Sequence, residues 1–153
     1  MQTKPTCIFI YSAGVILCIT AVAKIISGAG VARVLQIPDP LFGMPYRYLF
    51  LLAGALELAV AFACMRGKDV LVNALLVAWL ASLFAGYRLA LVFIHYNRPC
   101  SCLGIFTGSL HITPETADQV MKAALIYLLL GSYGTVLFLW QKGKATSFES
   151  QQR

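Results

Sequence analysis

Four apolar stretches of spanning length, a charged-residue content of only 12%, and basic residues that cluster at the ends of those stretches predict an all-α, polytopic membrane protein, a four-transmembrane-helix bundle. A soluble domain of this size carries about 25% charged residues, so 12% cannot clothe a water-facing surface. Apolar residues make up 59% of the 153-residue chain, a length that bounds it to one domain. The net charge of +6 would point to nucleic acid in a polar protein. Here the basic side chains flank apolar runs, which indicates lipid headgroups and membrane topology instead, and no nucleic-acid partner.

A spanning helix needs about 20 mainly apolar residues. Residues 7–27, 46–65, 70–95 and 119–140 meet that requirement. The first stretch also resembles a secretory signal, with Ala21-Val22-Ala23 as a small-residue site, but its apolar run is long and its leading segment carries only Lys4. A span is therefore the preferred reading. Thr113 and Pro114, with Glu115 in the first turn, mark the start of the last helix. In the second span Ala55, Ala59 and Ala63 recur every four residues, a smooth stripe that would let a neighbouring helix approach. The expected organisation is a four-span domain over residues 1–142 and a short, polar, disordered tail over 143–153.

Two connections are long, residues 28–45 and 96–118, and with four spans both lie on one side of the membrane. The other side holds both termini and the Arg66-Gly67-Lys68-Asp69 turn. Lys4, Arg66, Lys68, Lys142, Lys144 and Arg153 stand on that side, against Arg33, Arg47, Arg98 and Lys122 on the long-loop side. The positive-inside bias then puts both termini in the cytoplasm and the long loops outside, the periplasm if the membrane is a bacterial inner membrane.

Of the five cysteines, Cys7, Cys18 and Cys64 fall in or beside apolar runs, where cysteine acts mostly as a small hydrophobe. A relay from Cys7 and Cys64 to the outer face is conceivable but has little to support it. Cys100 and Cys102 differ, because Pro99 and Gly104 hold them in a polar loop. Two thiols one residue apart can close a disulfide only in strained geometry, and a strained, exposed disulfide suits exchange better than stapling. Arg98 would favour the thiolate, the nucleophile in exchange. The plainer alternatives are an inert local disulfide or unreactive thiols. A zinc or copper site drawing in His95 or His111 does not match a closed spacing, so no metal is assigned.

Lys24, Glu57 and Arg88 lie inside the spans, where ionisable groups are costly and usually face the interior in pairs. At 1.5 Å per residue all three fall in the outer half of the bundle, beneath the cysteine loop. Glu57 can reach either cation, which leaves one positive charge over. That charge can stabilise a thiolate or the anion of a bound quinone, or the trio can simply lock the helices in register. No cofactor is otherwise evident.

This order of features resembles the MauE family of small membrane proteins, itself related to the DoxX-like group. The shared pattern is Lys24 closing the first span, Glu57 within the second, and the Cys100-Ser101-Cys102-Leu103-Gly104 loop before the fourth. Leu103 stands where phenylalanine is expected. The resemblance implies a part in maturing secreted enzymes of methylamine metabolism. Cys100 and Cys102 would be its redox pair, and Lys24 and Glu57 its intramembrane charges. A periplasmic thioredoxin-like protein and a disulfide-rich secreted client, such as a methylamine-dehydrogenase-like subunit, would be its partners. The competing expectation is a non-enzymatic membrane assembly factor with a structural cysteine loop. Transport is disfavoured, since no inverted repeat or broken helix is evident. A quinone-linked disulfide oxidase of the four-helix type would use a Cys-x-x-Cys pair and further outer cysteines that are not supplied here.

Overall fold

A computed structural model describes residues 4–30, 33–67, 69–94 and 114–151 of the chain. Among the described residues the fold is all-helical: α1 (Lys4–Ala29), a short 3-10 turn (Arg33–Gln36), α2 (Tyr46–Arg66), α3 (Val70–Phe93) and α4 (Pro114–Gln151). Four stretches, Thr6–Ala29, Tyr46–Arg66, Val70–Phe93 and Asp118–Gln141, are long and apolar enough to cross a membrane. Their limits fall close to those read from the apolar runs, and α4 does open on Pro114. Helix continues to Gln151, through the polar residues after Lys142.

The helices pack as two intimate antiparallel pairs, α1 with α2 and α3 with α4, and touch less extensively across the seam between the pairs. Small residues permit the α1–α2 approach. A Cβ on Gly54 would stand 2.8 Å from the Ile25 Cγ1 and 3.1 Å from the Ala21 carbonyl. One on Gly28 would stand 3.1 Å from the Leu51 side chain. The Ala55, Ala59 and Ala63 stripe is not this contact: Ala55 and Ala59 are exposed and Ala63 half-buried. The interior face of α2 is instead Phe50, Gly54, Glu57, Ala61 and Cys64. Glu57 dictates that choice, because a carboxylate that cannot face lipid takes its side of the helix inward. Ala55 and Ala59, two positions to either side, then point out.

A tight core fills the half of the bundle near the short α2–α3 turn, where Ala13 and Leu17 of α1, Ala61 and Cys64 of α2, Val77 and Leu80 of α3, and Leu128 of α4 interdigitate. The outward positions Ile8, Tyr11, Val15, Ile19, Val22 and Ile26 of α1 form an exposed apolar stripe suited to lipid. Polar tethers join the pairs, since Ser12 of α1 and Tyr127 of α4 share a hydrogen bond of 2.7 Å. Phe9 leans on the same Tyr127 ring, with centroids 5.6 Å apart.

At the opposite end residues 37–45 fold back over the helices. The Asp39 N–H donates to the Met44 carbonyl and the Gly43 N–H to the Asp39 carbonyl, each at 2.8 Å. Gly43 adopts φ of 66°, the left-handed conformation that suits glycine. Arg47, in the first turn of α2, donates from Nε to the Gly28 carbonyl at 3.0 Å and from Nη2 to the Gly30 carbonyl at 3.3 Å, satisfying orphan carbonyls at the end of α1. That clamp fixes the geometry of the first long connection.

Candidate functional site: a polar-floored cavity in the outer half of the bundle

Above the core the two helix pairs part, leaving a cavity of about 210 Å³. All four helices contribute to its wall, as does Phe42 of the folded connection. The wall is overwhelmingly apolar, with Leu17, Phe50, Leu56, Phe84 and Leu125 prominent. Leu52 of α2 and Leu83 of α3 also line it and are themselves exposed, so the cavity reaches the lipid-facing surface between those two helices.

Its polar floor is the Lys24–Glu57 ion pair, in which the Lys24 ammonium donates to Glu57 Oε1. Both residues are buried, Lys24 at 6% exposure and Glu57 at 2%. The pairing removes most of the penalty of two charges in a medium without water. The ammonium also sits 4.5 Å from the centroid of the Phe84 ring, a cation–π contact. Glu57 Oε2 is buried with no hydrogen-bond partner among the described residues. Thr20, on the same wall and close to the Glu57 carboxylate, gives its single hydroxyl proton to the Leu17 carbonyl at 3.1 Å, and so does not satisfy Oε2.

Arg88 also lines the cavity, but Glu57 is not its partner. Its Nη1 lies 2.9 Å from Asp118 Oδ1 in the first half-turns of the α4 span, and Lys122 reaches the other oxygen of Asp118 at 2.7 Å. The positive charge left over in the Lys24, Glu57 and Arg88 count is thus met by Asp118, and the excess moves to the half-exposed Lys122. Sequence reading missed Asp118 because it stood just outside the assigned span, although its spacing of four from Lys122 was a usable signal.

Asp39 was missed too. It is only 2% exposed, and its Oδ1 accepts from the N–H groups of Leu41 at 2.8 Å and Phe42 at 3.0 Å. Its Oδ2 accepts from the Tyr87 hydroxyl. Phe42 stacks on the Tyr87 ring at 6.3 Å between centroids and 12° between planes, closing the cavity at the long-connection end. A carboxylate between two prolines, Pro38 and Pro40, was the available hint of a built turn.

Arg98, Cys100, Cys102, His95 and His111 lie outside the described residues. Their connection leaves α3 at Ile94 and enters α4 at Pro114, the end of the bundle at which the cavity lies. Cys64 packs in the core, while Cys7 and Cys18 are half-buried. Among the described residues no three histidine, cysteine or acidic side chains converge as a metal site would require.

Fold and site together define the class as a multi-pass membrane protein, with four spanning-length apolar helices among the described residues and a buried ion pair under an apolar cavity. Comparison with protein-family models, with curated proteins and with solved structures finds no match for this chain.

Proposed function

We propose that this chain is a membrane component of thiol-disulfide exchange that helps mature a secreted, disulfide-rich enzyme, working through Cys100 and Cys102 with a thioredoxin-like partner. It would sit in a bacterial inner membrane with both termini cytoplasmic and the 95–113 connection periplasmic. The observation that carries the reading is the shared end: the helix termini that bracket the two thiols, at Ile94 and Pro114, belong to the same end of the bundle as the polar-floored cavity. The likeness to MauE supplies the client class, an enzyme of the methylamine-dehydrogenase kind.

In the exchange one thiolate, favoured by Arg98, attacks the partner's disulfide and expels one partner thiolate, forming a mixed disulfide. The second cysteine, as thiolate, then attacks its neighbour's sulfur, and the partner leaves with both its sulfurs reduced. Two electrons pass from this pair to the partner and no further oxidant enters; the reverse sequence is equally balanced. Cys102→Ser should accumulate a mixed disulfide through Cys100, or Cys100→Ser one through Cys102. If neither single variant traps a partner and the double variant matures the client fully, the reading is wrong.

A second reading, a non-enzymatic assembly factor, is favoured by the pairing of Arg88 with Asp118, since charges that all find partners serve helix register without chemistry. Resistance of the Cys100 and Cys102 pair to mild reductant, with client maturation intact in the double serine variant, would select it.

A further inference from the structure

The cavity presents a combination that packing alone does not need: apolar walls, a donor and an unused acceptor at one end, and flanking rings. Lys24 offers ammonium protons beyond the one given to Glu57, while Glu57 Oε2 is 98% buried by residue and has no partner among the described residues. A buried carboxylate oxygen without a donor carries an uncompensated desolvation penalty, so a molecule that brings a hydroxyl to it relieves that penalty on binding. Fatty-acid carboxylates and phospholipid phosphates are poor occupants, because their negative charge would meet that same oxygen. The fitting head is neutral, with a hydroxyl for Glu57 and an oxygen acceptor for Lys24.

Shape narrows the class further. A volume of about 210 Å³ lies below the roughly 300–1,000 Å³ of pockets that enclose whole drug-sized ligands, so it takes a ring-sized head rather than a whole lipid. Phe84, with Lys24 over its face, and the stacked Phe42–Tyr87 pair give that ring flat neighbours. The exposed Leu52 and Leu83 mark a way out between α2 and α3 for an apolar tail. We propose that this cavity binds the neutral ring of a membrane-soluble quinol or quinone, with Lys24 donating to a ring oxygen and Glu57 Oε2 accepting from a quinol hydroxyl. The site requires neither cysteine and stands apart from the thiol reading above.

The test is calorimetric titration of decylubiquinol and decylubiquinone into the full-length protein in phosphatidylcholine nanodiscs, under anaerobic conditions for the quinol. Saturable binding of the quinol is expected, weakened about tenfold or more by Glu57→Gln, the loss of one hydrogen bond to a charged group, with the quinone changed much less. Ala124→Phe, which fills the cavity, should abolish binding of both while the melting transition persists. The Cys100→Ser, Cys102→Ser double variant should bind as the parent does, so that failure of the thiol reading leaves this result untouched. The proposal is overturned if the parent shows only non-saturable partitioning. It is overturned equally if Ala124→Phe binds unchanged, or if co-purified phospholipid fills the cavity and resists displacement by the quinol.

Discussion

Replacing Lys24 by methionine or Glu57 by glutamine isolates the energetics of the cavity floor, because each variant keeps side-chain length while removing one charge. With exposures of 6% and 2%, neither group is screened by solvent, so the small values typical of surface ion pairs do not apply. Breaking a buried pair by removing one partner costs about 3–5 kcal/mol, much of it the penalty of the charge left behind. Removing both partners eliminates that penalty, so the double variant should be no worse than either single one. The coupling in a double-mutant cycle is then at least as large as the larger single cost, about 3–5 kcal/mol. That exceeds the ~0.6 kcal/mol average measured for hydrogen bonds between membrane helices, so the two explanations are separable. The measurement is reversible unfolding in mixed micelles at rising SDS fraction, followed by helical circular dichroism. Single-variant costs that add to the double-variant cost within about 0.5 kcal/mol would show that the two residues do not depend on each other, and would refute the reasoning.

Tyr87→Phe should leave the Phe42 stack in place but strip the donor from Asp39 Oδ2, a local cost of about 1–3 kcal/mol, read as faster amide exchange at Leu41 and Phe42; unchanged exchange would refute it. Gly54→Val should loosen the α1–α2 pair and lower the unfolding midpoint, since its Cβ meets both Ile25 and the Ala21 backbone. Gly86→Ala, at a position with open space around it, should leave the midpoint unchanged or raise it slightly. Arg88→Met should cost on the order of 1 kcal/mol in the same micelle assay, less than either single variant of the buried pair, because Asp118 is partly exposed and keeps Lys122 as a partner.

The four spans were legible in the sequence because lipid imposes a length and a polarity that local composition records directly, whereas the far end of α4, which runs on to Gln151, was not. That Glu57 would pair with a cation inside the bundle was legible for the same reason, but the sequence left the choice between Lys24 and Arg88 open, and the packing of α1 on α2 settles it for Lys24. Arg88 shows where this logic stops. Its partner depended on how far α4 extends above the apolar run, and helix geometry beyond the span is not written in hydropathy. The alanine stripe failed for a related reason: small residues every fourth position define a smooth face, but nothing in that spacing says whether it meets a helix or a lipid. The carboxylate of Glu57 did say so, and the face through Phe50, Gly54, Ala61 and Cys64 follows from it. Asp39 required the fold itself. A loop aspartate becomes buried only when the Tyr87 hydroxyl, 48 residues further along the chain, arrives to bond it.

The two ion pairs have a consequence for the cavity that neither has alone. Lys24 and Glu57 belong to α1 and α2, and Arg88 and Asp118 to α3 and α4, so each strong electrostatic contact lies inside one tightly packed pair and none of the two crosses the seam. What crosses it at the cavity level is softer: the Lys24 contact with the Phe84 ring and the bond from Tyr87 to Asp39, with Phe42 laid over the gap. Toward the short α2–α3 turn the seam is closed by the interdigitated core and by the Ser12 and Tyr127 hydroxyls. Lipid supplies no hydrophobic force to press the pairs together where packing is incomplete. The bundle is therefore firm at one end and held at the other by softer contacts, the arrangement that the proposed entry of a ring-sized head needs if it is to leave both salt bridges, the buried Lys24–Glu57 and the half-buried Arg88–Asp118, intact.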